Sequence, residues 1–272
     1  MKKLLFISCI TLLMAASCKK DNKAVSCRLA QRVSYLDSSQ ITYDASGLVS
    51  VYNNALGPTF TFTYSGLTAQ CVVSYPGSSN TSAYQVYLNS QGLASTITYY
   101  VPPTAGGAER LYSYVFLYDN NNRIVRCEQS LNMPGTTSDF FMYDSMVYEN
   151  GNLSKQFTFT RSGASTTYGF QEYSVIAYTD KENKIGYHAL SPLDEPTSLE
   201  RGFNPFFHLY GKGSTNLPLE TTVYNGDGTL SSIIDYSYLF DENGNVTDEI
   251  ITKNIPLLAP AIDVRKFNYE CK

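Results

Sequence analysis

One local pattern occurs eight times in this chain: an alternating run of Tyr, Val, Ile, Thr or Phe, a polar corner carrying Asp, Asn or Gly, and an aliphatic residue that opens a second run. Ile41-Thr42-Tyr43-Asp44-Ala45-Ser46-Gly47-Leu48 and Leu239-Phe240-Asp241-Glu242-Asn243-Gly244-Asn245-Val246 show it in full, and the others begin at Phe62, Val86, Phe116, Val147, Ala177 and Val223. Gly or Asn late in the corner accepts the positive φ that a short hairpin loop needs, while Asp or Asn early in it bonds back to the backbone. Each instance therefore predicts a chain reversal between two extended segments. In Gln156-Phe157-Thr158-Phe159-Thr160 the alternation is strict, with rings on one face and polar groups on the other.

The corner residues Gly66, Gly92, Asn122, Gly151 and Asn183 follow one another at intervals of 26 to 32. Two strands of about eight residues with their connections fill such an interval, so the unit is a hairpin and the array a meander. A lone hairpin cannot bury its apolar face. Tandem copies must form one antiparallel sheet that coils, folds over or closes on itself. The expected fold is thus all-β: a large antiparallel meander of repeated hairpins, rolled into a barrel-like form or left as an open, strongly coiled single sheet. The 23 tyrosines and 14 phenylalanines, with no tryptophan, suit strands first and sugar-stacking platforms second. Residues 188–220, broken by Pro192, Pro196 and Pro205, read as a long connection covering an open end or edge of that sheet.

The amino terminus carries a different message. Met1-Lys2-Lys3, an apolar stretch from Leu4 to Met14, and Ala15-Ala16-Ser17 before Cys18 have the layout of a secretory signal. The stretch falls short of the roughly 20 apolar residues that span a bilayer as helix. It resembles a lipobox, with Ala15 where Leu is usual, and that resemblance implies acylation of Cys18 and cleavage before it. Two or three acyl chains anchor a domain stably where one does not. The expected organisation is a signal peptide at 1–17, a lipid-anchored polar tether at 18–34 and one β domain at 35–272.

Loss of the signal leaves 18 Lys and Arg against 24 Asp and Glu, with no basic block, which argues against nucleic acid as a partner. Cys27, Cys71, Cys127 and Cys271 then remain beside Cys18, too widely spaced for a zinc or redox motif. Three pairings are open in an oxidising compartment, as is a set of buried free thiols; Cys27 with Cys271 would tie the chain ends together.

Candidate chemistry is sparse. Gly211-Lys212-Gly213-Ser214-Thr215 departs from the phosphate-loop order, because Gly213 separates Lys212 from Ser214, and reads as a turn. His188 and His208 are the two histidines, and neither stands in a nucleophile motif. Asp194-Glu195, Asp241-Glu242 and Asp248-Glu249 offer carboxylates by composition alone, and Asp180-Lys181-Glu182-Asn183 is a calcium loop interrupted by lysine. No catalytic, metal or cofactor site is expected. Asp144-Ser145-Met146 is similar to the three-residue O-glycosylation signal of exported Bacteroidetes proteins, which marks Ser145 as a candidate acceptor.

The Tyr43-Asp44-Ala45-Ser46-Gly47 and Phe240-Asp241-Glu242-Asn243-Gly244 corners, with Asn216-Leu217-Pro218-Leu219-Glu220 before a strand, resemble those of uncharacterised Bacteroidetes lipoproteins built from repeated Tyr-Asp-x-x-Gly hairpins. The likeness covers residues 35 to 252 and implies a cell-envelope protein without a proven activity. The functional expectation is an outer-membrane lipoprotein, on the periplasmic face or cell surface, held to the membrane by its anchor and serving as a non-catalytic binding module for a glycan or an envelope protein. The alternatives are an assembly accessory of an outer-membrane system and a polymer hydrolase.

Overall fold

The computed structural model describes residues 27–33, 38–55, 57–79, 81–101, 110–132, 140–163, 165–185 and 206–271. Sixteen strands lie within them: β1 (Cys27–Val33), β2 (Ser38–Tyr43), β3 (Val49–Asn54), β4 (Thr59–Ser65), β5 (Thr68–Ser74), β6 (Thr81–Leu88), β7 (Ala94–Val101) and β8 (Arg110–Tyr118) form the first half. The second half is β9 (Ile124–Asn132), β10 (Phe140–Glu149), β11 (Asn152–Ser162), β12 (Gly169–Glu182), β13 (Asn216–Asn225), β14 (Leu230–Phe240), β15 (Val246–Asn254) and β16 (Ala261–Cys271). Each pairs antiparallel with its neighbours in sequence, and β1 pairs with β16, so the meander closes into a barrel. The only helical element among the described residues is one 3₁₀ turn, Phe207–Leu209.

A meander sends alternate connections to the same end: seven of the repeated corners arrive at one end of the barrel, and the Asn225–Thr229 corner, between β13 and β14, lies at the other. Asp44, Asn89, Asp119 and Asp241 each accept on Oδ1 the amides two and four residues ahead. Gly47, at φ +87°, and Asn122, at φ +63°, supply the left-handed residue that lets the chain return. These bonds favour the charged carboxylate. The Ser46 hydroxyl and three amides hold Asp44 below the usual range, and Asn245 does the same for Asp241. At Asp119 burial works against ionisation, but Arg123 and the Asn121 amide together outweigh it. One residue past several corners the return strand bulges, and the bulge serines Ser50, Ser95 and Ser154 donate to the carbonyls of Thr42, Tyr87 and Val147.

The tyrosine that precedes many corners has a structural task. Tyr43, Tyr64, Tyr118, Tyr178, Tyr238 and Tyr269 point inward and donate their hydroxyls, at 2.7 to 3.0 Å, to the backbone carbonyls of Leu29, Val49, Ala94, Leu153, Pro218 and Val246. They form a ring around the inner wall that ties each strand to its preceding neighbour. Burial raises the phenols of Tyr43, Tyr64, Tyr118, Tyr178 and Tyr269, that of Tyr178 to about 12, so these stay protonated donors across the physiological range.

Sixteen strands are enough to enclose an aqueous channel. Here the inner face instead carries one apolar cluster drawn from nearly every strand, including Ile41, Tyr52, Phe60, Val73, Ile97, Phe116, Ile124 and Phe267. Residues 206–215 enter it from the corner end as a plug. Phe206, Leu209 and Tyr210 are buried, with Phe206 5.5 Å from Phe62 and Tyr210 5.2 Å from Phe116 between ring centres. Gly211, at φ +81°, lies so close to the corner backbone that an added Cβ would collide with the Asn122 carbonyl oxygen.

Two expected boundaries move. Residues 27–33, assigned to the polar tether, are β1: a bulge between Leu29 and Gln31 lets both Leu29 and Arg32 turn inward, and the strand fills the gap between β16 and β2. The long connection ends before Asn216 rather than at 220, because Leu217 and Thr221 face the core from β13. The connection covers no sheet edge, since closure leaves none among the described strands; its carboxy-terminal part plugs the barrel instead. Residues 186–205, with His188 and Asp194-Glu195, lie outside the described residues, as does Cys18.

Candidate functional site

Towards the corner end the inner face of β10–β13 is apolar, with Met146, Leu153, Ile176 and Leu217 buried. Farther along the same strands the polarity reverses. Asp144, Gln156, Thr158, Ser174 and Thr221 occupy the inner face, and Tyr143, Phe157, Phe159, Tyr173 and Tyr224 the outer one, as the shared register requires. Asp144 is almost fully buried and accepts from the Thr158 hydroxyl at 2.5 Å and the Gln156 amide at 3.2 Å. Burial raises its carboxyl above the usual range against the pull of those donors.

The outer rings form a ladder across four strands. Tyr143 stacks on Phe159 at 4.6 Å with planes 15° apart, and Tyr173 on Tyr224 at 4.8 Å and 14°. Phe157 stacks on Tyr173 at 6.1 Å, while Phe170 bridges the two rows, 5.3 Å from Phe159 and 6.1 Å from Tyr173. Strand spacing is about 4.8 Å, so rings stacked across it stand upright on the sheet. They spend their faces on one another and turn their edges to solvent. Two guanidiniums cover faces at the near side of the ladder: Arg126 lies 4.1 Å from the Tyr143 ring, and Arg161 lies 4.0 Å from Phe141 and 5.2 Å from Tyr168. Tyr168 and Phe170 are exposed around them.

The residues singled out from sequence are dispersed. Ser145 lies on the outer face of β10, paired with Arg126 and Phe157, inside the aromatic wall, while its neighbours Asp144 and Met146 are buried. A disulfide joins Cys27 to Cys271 and so staples β1 to β16 at the seam of the barrel, whereas Cys71 and Cys127 are buried free thiols. Burial pushes the Cys127 thiol well up, which makes it a poor nucleophile. His208 belongs to the plug: its Nε2 is 2.7 Å from the Tyr64 hydroxyl, and its ring packs edge-on against Phe62.

The segment resembling a phosphate loop spends its polar groups on the corners. Lys212 N–H donates to the Asn122 carbonyl, Thr215 N–H to the Gly151 carbonyl, and Ser214 meets the Tyr178 hydroxyl and the Leu153 amide. Asp241 is a corner residue, and Asp248 and Glu249, adjacent on one strand, face opposite sides: Asp248 lies 4.0 Å from Lys266 outside and Glu249 3.4 Å from Arg265 inside. Asn183 donates to the Ser214 carbonyl. No group of three or more potential metal ligands occurs among the described residues.

The aromatic wall was not singled out from sequence. Its signal was there in the alternation of Phe157 and Phe159 with Gln156, Thr158 and Thr160, but a ring-bearing face reads as core by default. Asp144 flanked by Tyr143 and Ser145 was the discordant residue.

No protein-family model matches this chain, and no curated protein does. Solved structures do share its fold. A porin-like protein from Bacteroides uniformis superimposes with a TM-score of 0.59 at 15% identity, over 86% of this chain and 90% of that one. A porin-like protein from Bacteroides vulgatus superimposes with a TM-score of 0.61 at 12% identity, over 89% and 99% respectively. At such identities the likeness is one of fold alone.

Proposed function

We propose that this chain is an exported envelope protein, anchored by acyl groups on Cys18 to an outer membrane, and that it acts as a non-catalytic docking module whose outer aromatic wall on β10–β13 binds a protein partner. The carrying observation is the reversal of polarity on those strands. Rings that would lower the free energy by about 1.5–3 kcal/mol each if buried are held at the surface, while a carboxylate occupies the core side. Tyr, Phe and Arg are the residues enriched where protein interfaces concentrate their binding energy.

Two further observations favour docking over other uses of the fold. The outer face elsewhere carries Lys155, Glu220, Asp235, Asp248 and Lys266, and a basic residue facing the middle of a bilayer costs a barrel about 2–4 kcal/mol. The plug and the apolar cluster it packs against also suit a closed scaffold better than a channel. Between a protein and a glycan, ring orientation supports the protein: sugars stack on open ring faces, and here faces are taken by neighbouring rings or by Arg126 and Arg161.

A photoreactive amino acid placed at Phe159 in the full-length, lipidated protein tests this in intact cells. A discrete protein adduct from position 159, with none from Thr63 on the outer face of β4, is the expected result. Equal adducts from both positions, or none from 159, would refute the docking reading.

A further inference from the structure

Resting on that reading of the wall, we infer that the partner presents an apolar patch edged with carboxylates, and that these meet Arg126 and Arg161. The chain as a whole is acidic, with a formal net charge of −4 at pH 7. Outward positions on β9–β11 run against that balance: Arg126, Lys155 and Arg161 against Glu128 and, beside the corner, Glu149. Past the last ring of the ladder the sign changes, with Glu220 and Asp235 directly opposite one another on β13 and β14. Like charges facing each other across a strand pair repel. The wall is therefore a band of ring edges with a basic margin on one side and an acidic margin on the other.

Arg126 is positioned for use. It lies over Tyr143 with its side chain 39% exposed, 2.7 Å from a Glu128 carboxylate that is itself 44% exposed. Such an exposed pair contributes little to stability. A guanidinium fixed on a ring loses less freedom on meeting a carboxylate than a free one. Arg161 is fixed likewise, by two rings and by donation of Nη1 to the Ser165 carbonyl at 2.9 Å. Both cations are held beside the apolar band rather than extended into solvent, the arrangement that selects an acidic rim and sets the orientation of a partner.

Charge reversal in the same full-length protein, with the photoreactive group at position 159, tests the inference. Arg126→Glu with Arg161→Glu should lower the yield of the protein adduct at least tenfold, and Arg126→Gln with Arg161→Gln, which retains planar side chains over the rings, should lower it several-fold. Glu220→Lys with Asp235→Lys should not raise it. The wild-type yield should also fall as salt is added to isolated envelopes. An adduct that forms normally but is indifferent to both arginine pairs would overturn the acidic rim and leave the docking surface intact. Absence of any wild-type adduct would remove the surface itself, and an adduct that is carbohydrate rather than protein would overturn the class of partner.

Discussion

The walls β2–β7 and β10–β13 belong to one closed sheet and obey the same period of two, yet they distribute side chains in opposite ways. On β2–β7, Ile41, Tyr52, Phe60, Phe62, Val73, Val86 and Ile97 are buried inside, while Thr42, Thr61, Thr63 and Gln70 face water. On the upper part of β10–β13, Asp144 is inside and the rings are outside. Alternation tells that a strand has two unlike faces. Which of them is buried depends on register with the neighbours, and a slip of one residue exchanges them.

The comparison is broken most easily on its conventional side. Phe60→Ala removes a ring buried by Tyr52 and the plugged core, and should cost about 3–5 kcal/mol in equilibrium urea unfolding. A cost near that of an outer-wall substitution would mean that β2–β7 does not carry the core.

Next in size is the inner carboxylate of the reversed wall. Asp144→Ala should cost about 1–3 kcal/mol by leaving the Thr158 and Gln156 donors without their acceptor. Its pH dependence has a definite sign. Because the folded-state carboxyl is raised, its contribution is fully present below the ordinary aspartate range of about 3.9 and diminishes as pH rises through the raised value. The corner aspartates Asp44 and Asp241 run the other way: theirs is present above that range and lost as pH falls through their lowered values. Asp144→Asn should therefore gain stability relative to the wild type between acid and neutral pH in paired thermal melts. A constant difference would contradict the burial assigned to this group.

The tyrosine ring sharpens the comparison at the level of single hydrogen bonds. Tyr118→Phe keeps the packing and deprives the Ala94 carbonyl of its donor, for a loss of about 1 kcal/mol by denaturant titration. Tyr173→Ser, on the outer wall, should be the mildest change, within about 1 kcal/mol in the same assay, while removing ring contacts on both sides of the ladder. A loss there as large as that of Phe60→Ala would make the ladder a structural core after all.

Much of the architecture was legible because its determinants are local. The Asp and Asn side chains that clamp the corners, and the Gly or Asn that returns the chain, act within five residues, so the meander could be read directly. Closure is only one of the two forms the corners allow, because it depends on β1, whose Cys27-Arg28-Leu29-Ala30-Gln31-Arg32-Val33 lacks a corner of its own and reads as tether. The role of the tyrosines was half legible: abundance before corners pointed to strands, but the bonds to carbonyls 14 to 25 residues away are tertiary. The aromatic wall was hidden for the same reason, since Tyr143, Phe159 and Tyr173 become neighbours only when three strands share a register.

Tyrosine and phenylalanine oxidation by hydroxyl radicals, read by mass spectrometry on the purified protein and on intact cells, tests most directly whether the reversed wall is a docking surface. Tyr87 and Tyr100, exposed on β6 and β7, serve as the reference. The account predicts that Phe159, Tyr168, Phe170 and Tyr173 are oxidised in the purified protein and protected in cells, with Tyr87 and Tyr100 labelled alike in both. Equal labelling of the four rings in both settings would contradict it.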